Sequence, residues 1–307
     1  MKPPIIVLLI LLLANIPTNA IAAPFAYAVG TIQGTPVEPG ALVRIDLASG
    51  LATRIGVVTD AAVPATVYAN IGGLDIDPAT GQLYAVDDAA DRLIRIDPQT
   101  ALATVIGPIT DGGSPIASIS NMGLAFDGAG TLYFVSTSGR RFATMDITSG
   151  ALSSIVTGGA APNTSGLAIG PGGFFGVTPG ATDQLISINP VDGVSTPIGA
   201  GLGINVSNLL GLEFDGDGVL WGVEKTSGAN PTALFTVDTV SGLASVGSTV
   251  MLEGSGTLVN ELASLAVFAG AGSPSPARVP MPAAFLVILA GLLASSAGRR
   301  GGQSGSA

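Results

Sequence analysis

The sequence predicts an all-β fold: a β-propeller of five four-stranded blades closed by a C-terminal strand, with a hydrophobic helix after it. Three recurrences point there. An opener appears as GLDID at Gly73, GLAFD at Gly123, GLAIG at Gly166, GLEFD at Gly211 and SLAVF at Ser264. An aromatic followed by x-Val appears at Tyr27, Tyr84, Tyr133, Phe175 and Trp221. A turn segment appears as IDLASG at Ile45, IDPQTA at Ile96, MDITSG at Met145, INPVDG at Ile188 and VDTVSG at Val237. The openers lie 43 to 53 residues apart, the period of four-stranded propeller blades.

Each element has a local cause. Runs such as RLIRID and QLISIN alternate with period two and read as strands. In the Asp/Asn-x-x-x-Gly segment the carboxylate or amide caps a turn, and Gly takes the left-handed position before the next strand. Ala101 stands where the second unit should have that Gly, a small strain. The first unit lacks an opener, whereas SLAVF is an opener with nothing after it. Pairing the last strand with the first unit completes five blades and removes an open sheet edge.

Composition limits the chemistry. Of 307 residues 47% are apolar, and Cys and His are absent. This removes Ser-His-Asp and Cys nucleophiles and every metal site that needs thiolate or imidazole. No cofactor is expected, and any metal would be a hard cation such as calcium held by oxygen. All 21 acidic residues lie between Glu38 and Glu261. Of the 11 basic residues Lys2, Arg278, Arg299 and Arg300 lie outside 23–277, leaving seven and a net charge of −14 there. A surface of that sign repels phosphate backbones, so no nucleic-acid partner is expected.

Near the start of the chain stand Lys2, an unbroken apolar run 5–13, and Ala20-Ile21-Ala22. Positive end, apolar run and small-x-small site are the parts of a secretory signal peptide, 1–22, cleaved after Ala22. The propeller domain then spans 23–270. A Pro/Ser/Gly linker follows at 271–278, then VPMPA from Val279 through Pro280 and Pro282 to Ala283, an apolar run 283–297, Arg299-Arg300, and a short tail 301–307. The segment 279–300 resembles the PEP-CTERM family of C-terminal sorting signals in its Val-Pro-x-Pro-Ala variant. It departs from that pattern in lacking Pro-Glu-Pro and in running on past the arginines. The resemblance implies a Gram-negative source, a protein held at the inner membrane by its C-terminal helix, and recognition by an exosortase-type processing enzyme. It also implies release to the cell surface or extracellular matrix, with exopolysaccharide as a candidate partner. Fifteen residues make about 22 Å of helix against a hydrocarbon core of about 30 Å, which suits a processing signal better than a permanent anchor.

Several residues are candidate sites. Asp215 and Asp217 have the D-x-D-G spacing that opens a calcium loop. The same place in the other units is a hairpin turn, and we read it so here. Asn70, Asn121, Asn163, Asn208 and Asn260 each precede an opener. They could ring the mouth of the channel as ligand-binding amides, or cap the bend into the innermost strand, the reading we favour. The acidic run 87–91, with Asp87, Asp88 and Asp91, falls on the face that carries the longer loops; there we read solvated loop charges ahead of a ligand site.

Two functions remain open. The first, which we prefer, is a non-enzymatic binding or structural module of the envelope or matrix, with no catalytic residues. The second is a carboxylate-based hydrolase or lyase, with or without calcium, acting on polysaccharide or a lactone. Asp75 and Glu213 are its candidates, and their meeting around a pocket or ion would overturn the preference for the first. Ala125 and Ala168 fill the equivalent places, which argues for the first.

Overall fold

The computed structural model describes residues 24–116, 119–180, 183–206, 210–224 and 232–268. The expectations for Ala20, Ala22, Asn208, Val279, Pro280, Pro282, Ala283, Arg299 and Arg300 fall outside these residues.

Five antiparallel sheets follow one another along the chain. Blade two is Ile71–Ile76, Leu83–Asp87, Arg92–Ile96 and Leu102–Pro108; blade three is Met122–Phe126, Leu132–Ser136, Arg141–Met145 and Ala151–Thr157. Blade four is Ser165–Gly170, Gly173–Thr178, Gln184–Ile188 and Ser195–Pro197; blade five is Leu210–Phe214, Leu220–Glu224, Ala233–Val237 and Ala244–Thr249. Blade one joins both ends of the domain. Its inner strand Ala266–Phe268 pairs antiparallel with Phe25–Ile32, Phe25 opposite Phe268 and Tyr27 opposite Ala266. Glu38–Asp46 and Leu51–Val57 complete it. The Phe25 and Phe268 rings stack at 5.0 Å, and the Arg44 guanidinium sits 3.9 Å over Phe25. The sheet edge left by the missing opener is thus closed by the strand the sequence supplies last.

The turn chemistry is as the sequence implies. Gly50, Ala101, Gly150, Gly193 and Gly242 all have positive φ, from 60° at Ala101 to 79° at Gly150. Asp97 Oδ1 accepts from the N–H groups of Gln99 and Thr100, and Asp238 Oδ1 from those of Val240 and Ser241. Ala101 therefore carries a Cβ in a conformation that costs an L-residue about 1 kcal/mol.

The core lies between blades rather than within them. The Leu after each opener residue packs with the preceding blade: Leu74 with Val29 and Leu42, Leu124 with Tyr84 and Val86, Leu265 with Val223 and Leu234. These side chains are almost wholly buried, each worth about 1.5–3 kcal/mol of apolar burial.

One feature of the sheets has no trace in the repeats. Three blades gain a short parallel strand on their outer edge from the chain leaving the blade before. Thr59–Asp60 adds to Leu102–Pro108, Thr110–Asp111 to Ala151–Thr157, and Met251–Leu252 to Leu51–Val57. After Ala151–Thr157 the chain instead makes a 3₁₀ turn, Gly158–Ala160. Two residues of parallel pairing are too short to show an alternation.

Candidate functional site

The axis of the propeller is built from the five inner strands, and the opener residues set its width. A Cβ on Gly123 would stand 2.6 Å from the backbone of Gly166 and Leu167, and one on Gly211 2.5 Å from Leu265 N. Neighbouring inner strands thus touch backbone to backbone, a contact only Gly permits. In blade one Ser264 takes the opener place.

Two places after the opener stand Asp75, Ala125, Ala168, Glu213 and Ala266. The three alanines are fully buried, and Asp75 and Glu213 are 6% and 8% exposed. Asp75 Oδ1 accepts from its neighbour Ile76 N–H at 2.7 Å, and Oδ2 accepts from Phe126 N–H of blade three. Glu213 Oε1 accepts from its own neighbour Phe214 N–H at 2.8 Å, while Oε2 is buried without a hydrogen-bond partner. Burial pushes the Asp75 carboxyl up to about 7. Burial, and then the charge of Asp75, holds Glu213 well above the usual carboxylate range. Like charges that share a desolvated space cannot both ionise cheaply, so both carboxyls are pushed toward the protonated form. The sequence names these two residues, and alanine at the other three places sets them apart from the repeat. The two acids sit almost wholly buried among the inner strands.

The face carrying the longer loops is organised by the acidic run of blade two. Asp87 is buried; its Oδ2 accepts from Arg92 Nε at 2.8 Å and its Oδ1 from Ala89 N–H. Arg92 also lies 5.2 Å over the Tyr68 ring, whose hydroxyl donates to Asp60 at 2.6 Å. Burial, and then that hydrogen bond, push the Tyr68 hydroxyl up to about 12. Asp88 Oδ2 accepts from Asn70 Nδ2 at 2.8 Å. Asp91, with φ 45°, accepts from Ile119 N–H at 3.0 Å and so holds the segment entering blade three. Asp183 repeats this one pair of blades later. With φ 33° and buried, it accepts from Gly180 N–H at 3.0 Å and Val206 N–H at 2.8 Å. The run read as solvated loop charges is therefore a set of hydrogen-bonded staples. Sequence reasoning missed Asp183, although its place before strand three, matching Asp91, was available as a signal.

Two of the five amides named before the openers, Asn70 and Asn260, have side-chain partners in neighbouring segments. Asn70 gives its side chain to Asp88, and Asn260 is buried with Oδ1 accepting from Gln33 Nε2 at 2.8 Å. The carbonyls of Asn70 and Asn121 accept from Asp88 and Thr137 N–H, extending the ladder between first and second strands. Asn121 has φ 47° and Asn163 is half-buried.

Asp215 is likewise committed. Oδ1 accepts from Asp217 and Val219 N–H at 3.0 and 2.9 Å, and Oδ2 from Trp221 Nε1 at 2.8 Å. Asp217 is exposed. Asp127 holds the equivalent hairpin of blade three through Ala129 and Thr131 N–H, so the D-x-D-G segment is a turn.

A family model described as a repeat of unknown function (DUF6923) matches residues 73–214. That is just under half of the chain, from the opener of blade two to the inner strand of blade five. The chain is similar to that repeat family. No curated protein matches the chain in sequence. Among solved structures, a nidogen/laminin complex is 14% identical over 80% of this chain and 97% of that one, with a TM-score of 0.49. TolB from Acinetobacter baumannii is 13% identical over 80% of this chain and 66% of that one, at 0.47. A catalytically inactive virginiamycin B lyase from Staphylococcus aureus, crystallised with quinupristin, is 14% identical over 79% of each chain, at 0.41. Likenesses this distant transfer no activity or partner.

Proposed function

We propose that this protein is an exported propeller that serves as a non-enzymatic binding or structural module of the cell envelope or extracellular matrix. In this reading it is delivered by an exosortase-type C-terminal sorting signal. One observation carries the non-enzymatic part. The acidic residues that could serve a carboxylate catalyst are tied up as staples on the loop face, or are almost wholly buried among the inner strands. A rigid ring with stapled loops presents a fixed surface, which is what a binding module needs. The signal-peptide features at Ala20 and Ala22, and the Val279–Pro280–Pro282–Ala283 motif before Arg299 and Arg300, support export and sorting.

The carboxylate hydrolase or lyase stays as a second reading because Asp75 and Glu213 do lie together with raised pKa values, the property of acid–base pairs. One experiment separates the two. The protein is applied to a glycan array and assayed for release of reducing ends from any glycan bound. Retention without cleavage, unchanged in Glu213→Gln, supports the module; turnover abolished by Glu213→Gln overturns it. Expression in a host with and without an exosortase tests the address. The expected result is loss of the segment from Val279 onward only in the host that has one.

A further inference from the structure

Two buried oxygens in the described residues have no hydrogen-bond partner: Glu213 Oε2 and Ser264 Oγ. A buried polar atom left unpaired costs about 1–3 kcal/mol, so two of them on adjoining blades call for an explanation. Glu213 lies on the inner strand of blade five, and Ser264 stands just before the adjoining inner strand Ala266–Phe268; a Cβ on Gly211 would stand 2.8 Å from Ser264 Cα. Asp75 is close enough for its charge to act on Glu213. The inner strands are the axis-side ends of their sheets, so their backbone carbonyls add further oxygens facing inward.

We propose that the axis, at Glu213, Asp75 and Ser264, holds one hard divalent cation, with calcium the best fit. The donor set is oxygen only, in a chain without Cys or His. Two carboxylates match a divalent charge, and a mixed set of carboxylate, hydroxyl and carbonyl oxygens suits the irregular coordination of calcium better than the strict octahedron of magnesium. The ion satisfies Glu213 Oε2 and Ser264 Oγ together and removes the repulsion between the acids. Enclosed in this way it is taken up as the ring closes, and it braces the two inner strands beside the closure seam. This differs from the D-x-D-G turn, whose Asp215 is already occupied by three donors. It rests on the closed axis and not on the binding-module reading, so a null glycan array leaves it standing.

The test is to unfold the full-length protein and refold it at pH 8 in EDTA, in millimolar calcium, or in millimolar magnesium. Bound metal is then measured by native mass spectrometry and stability by thermal melting. The expected result is one calcium per chain and a melting temperature several degrees higher with calcium than in EDTA. Glu213→Gln should lose at least about tenfold in affinity, the low end for changing even an outer-shell partner of a metal ligand, and Ser264→Ala should lose less. Asp217→Asn, an exposed acid, should bind as the parent does. Absence of any calcium effect in the parent protein, leaving a water or a proton only, overturns the proposal. So does calcium binding that Glu213→Gln and Ser264→Ala leave unchanged. If Glu213→Gln does not refold, Ser264→Ala decides, because loss of one hydroxyl removes a ligand and no charge.

Discussion

The buried acids of the loop face and those of the axis face opposite conditions. Asp87 has Arg92 at 2.8 Å and Asp183 has two backbone N–H groups; each of these carboxylates is held by donors that its charge strengthens. Asp75 and Glu213 also accept backbone N–H groups, but each has the other as its charged neighbour, and Glu213 Oε2 has no donor. Burial alone therefore does not decide what an acid contributes. On the loop face the acids fasten segments that would otherwise be free to move. In the axis they cost stability unless a proton or a cation compensates.

That contrast can be broken by substitution. Asp183→Ala should have the largest effect, a loss of about 3 kcal/mol in urea unfolding, because Gly180 and Val206 N–H lose a buried acceptor. A loss under about 1 kcal/mol would mean that these loops close without their staple. Glu213→Gln should go the other way, raising stability in EDTA at pH 8 by about 1–2 kcal/mol, since the amide removes a buried charge and keeps Oε1 for Phe214. Destabilisation would show that the axial charge is compensated even without metal.

The pH dependence sharpens the sign. Both axial carboxyls have folded-state pKa values above their unfolded ones, so the native state keeps protons that the unfolded chain has released. Their contribution is full below about pH 4, the unfolded value; Asp75's share is lost as pH rises through about 7, and Glu213's as pH rises through its own raised folded value. Stability in EDTA should thus decline from about pH 4 until both carboxyls have ionised, with a shallower decline in Glu213→Gln. An equal slope in the variant would place the titrating group elsewhere. The smallest effect belongs to Asp217→Ala, within about 0.5 kcal/mol, whereas Asp215→Ala, two residues away, should cost about 2 kcal/mol through its three donors.

Much of the fold was legible from residue order. The openers, the aromatic-x-Val pairs and the Asp-x-x-x-Gly turns numbered the blades, and the unmatched SLAVF at Ser264 predicted the closing strand. The turn reading of Asp215 and Asp217 also followed from comparison among units. The short parallel strands were hidden, because Thr59–Asp60 and its counterparts are too brief for a pattern and pair with the next blade. The axial pair was half legible: Asp75 and Glu213 could be named, but the repeat logic counted Ala125 and Ala168 against them. Repeats report what blades share, and this site exists because two blades differ from the other three.

By itself, then, the sequence determined the blade count, the hairpin turns and the closing strand, because strand alternation and turn capping act over a few residues. The tertiary structure alone decided which acids became staples and which met at the axis. That choice depends on where the ring brings distant strands together and on how completely it removes them from water.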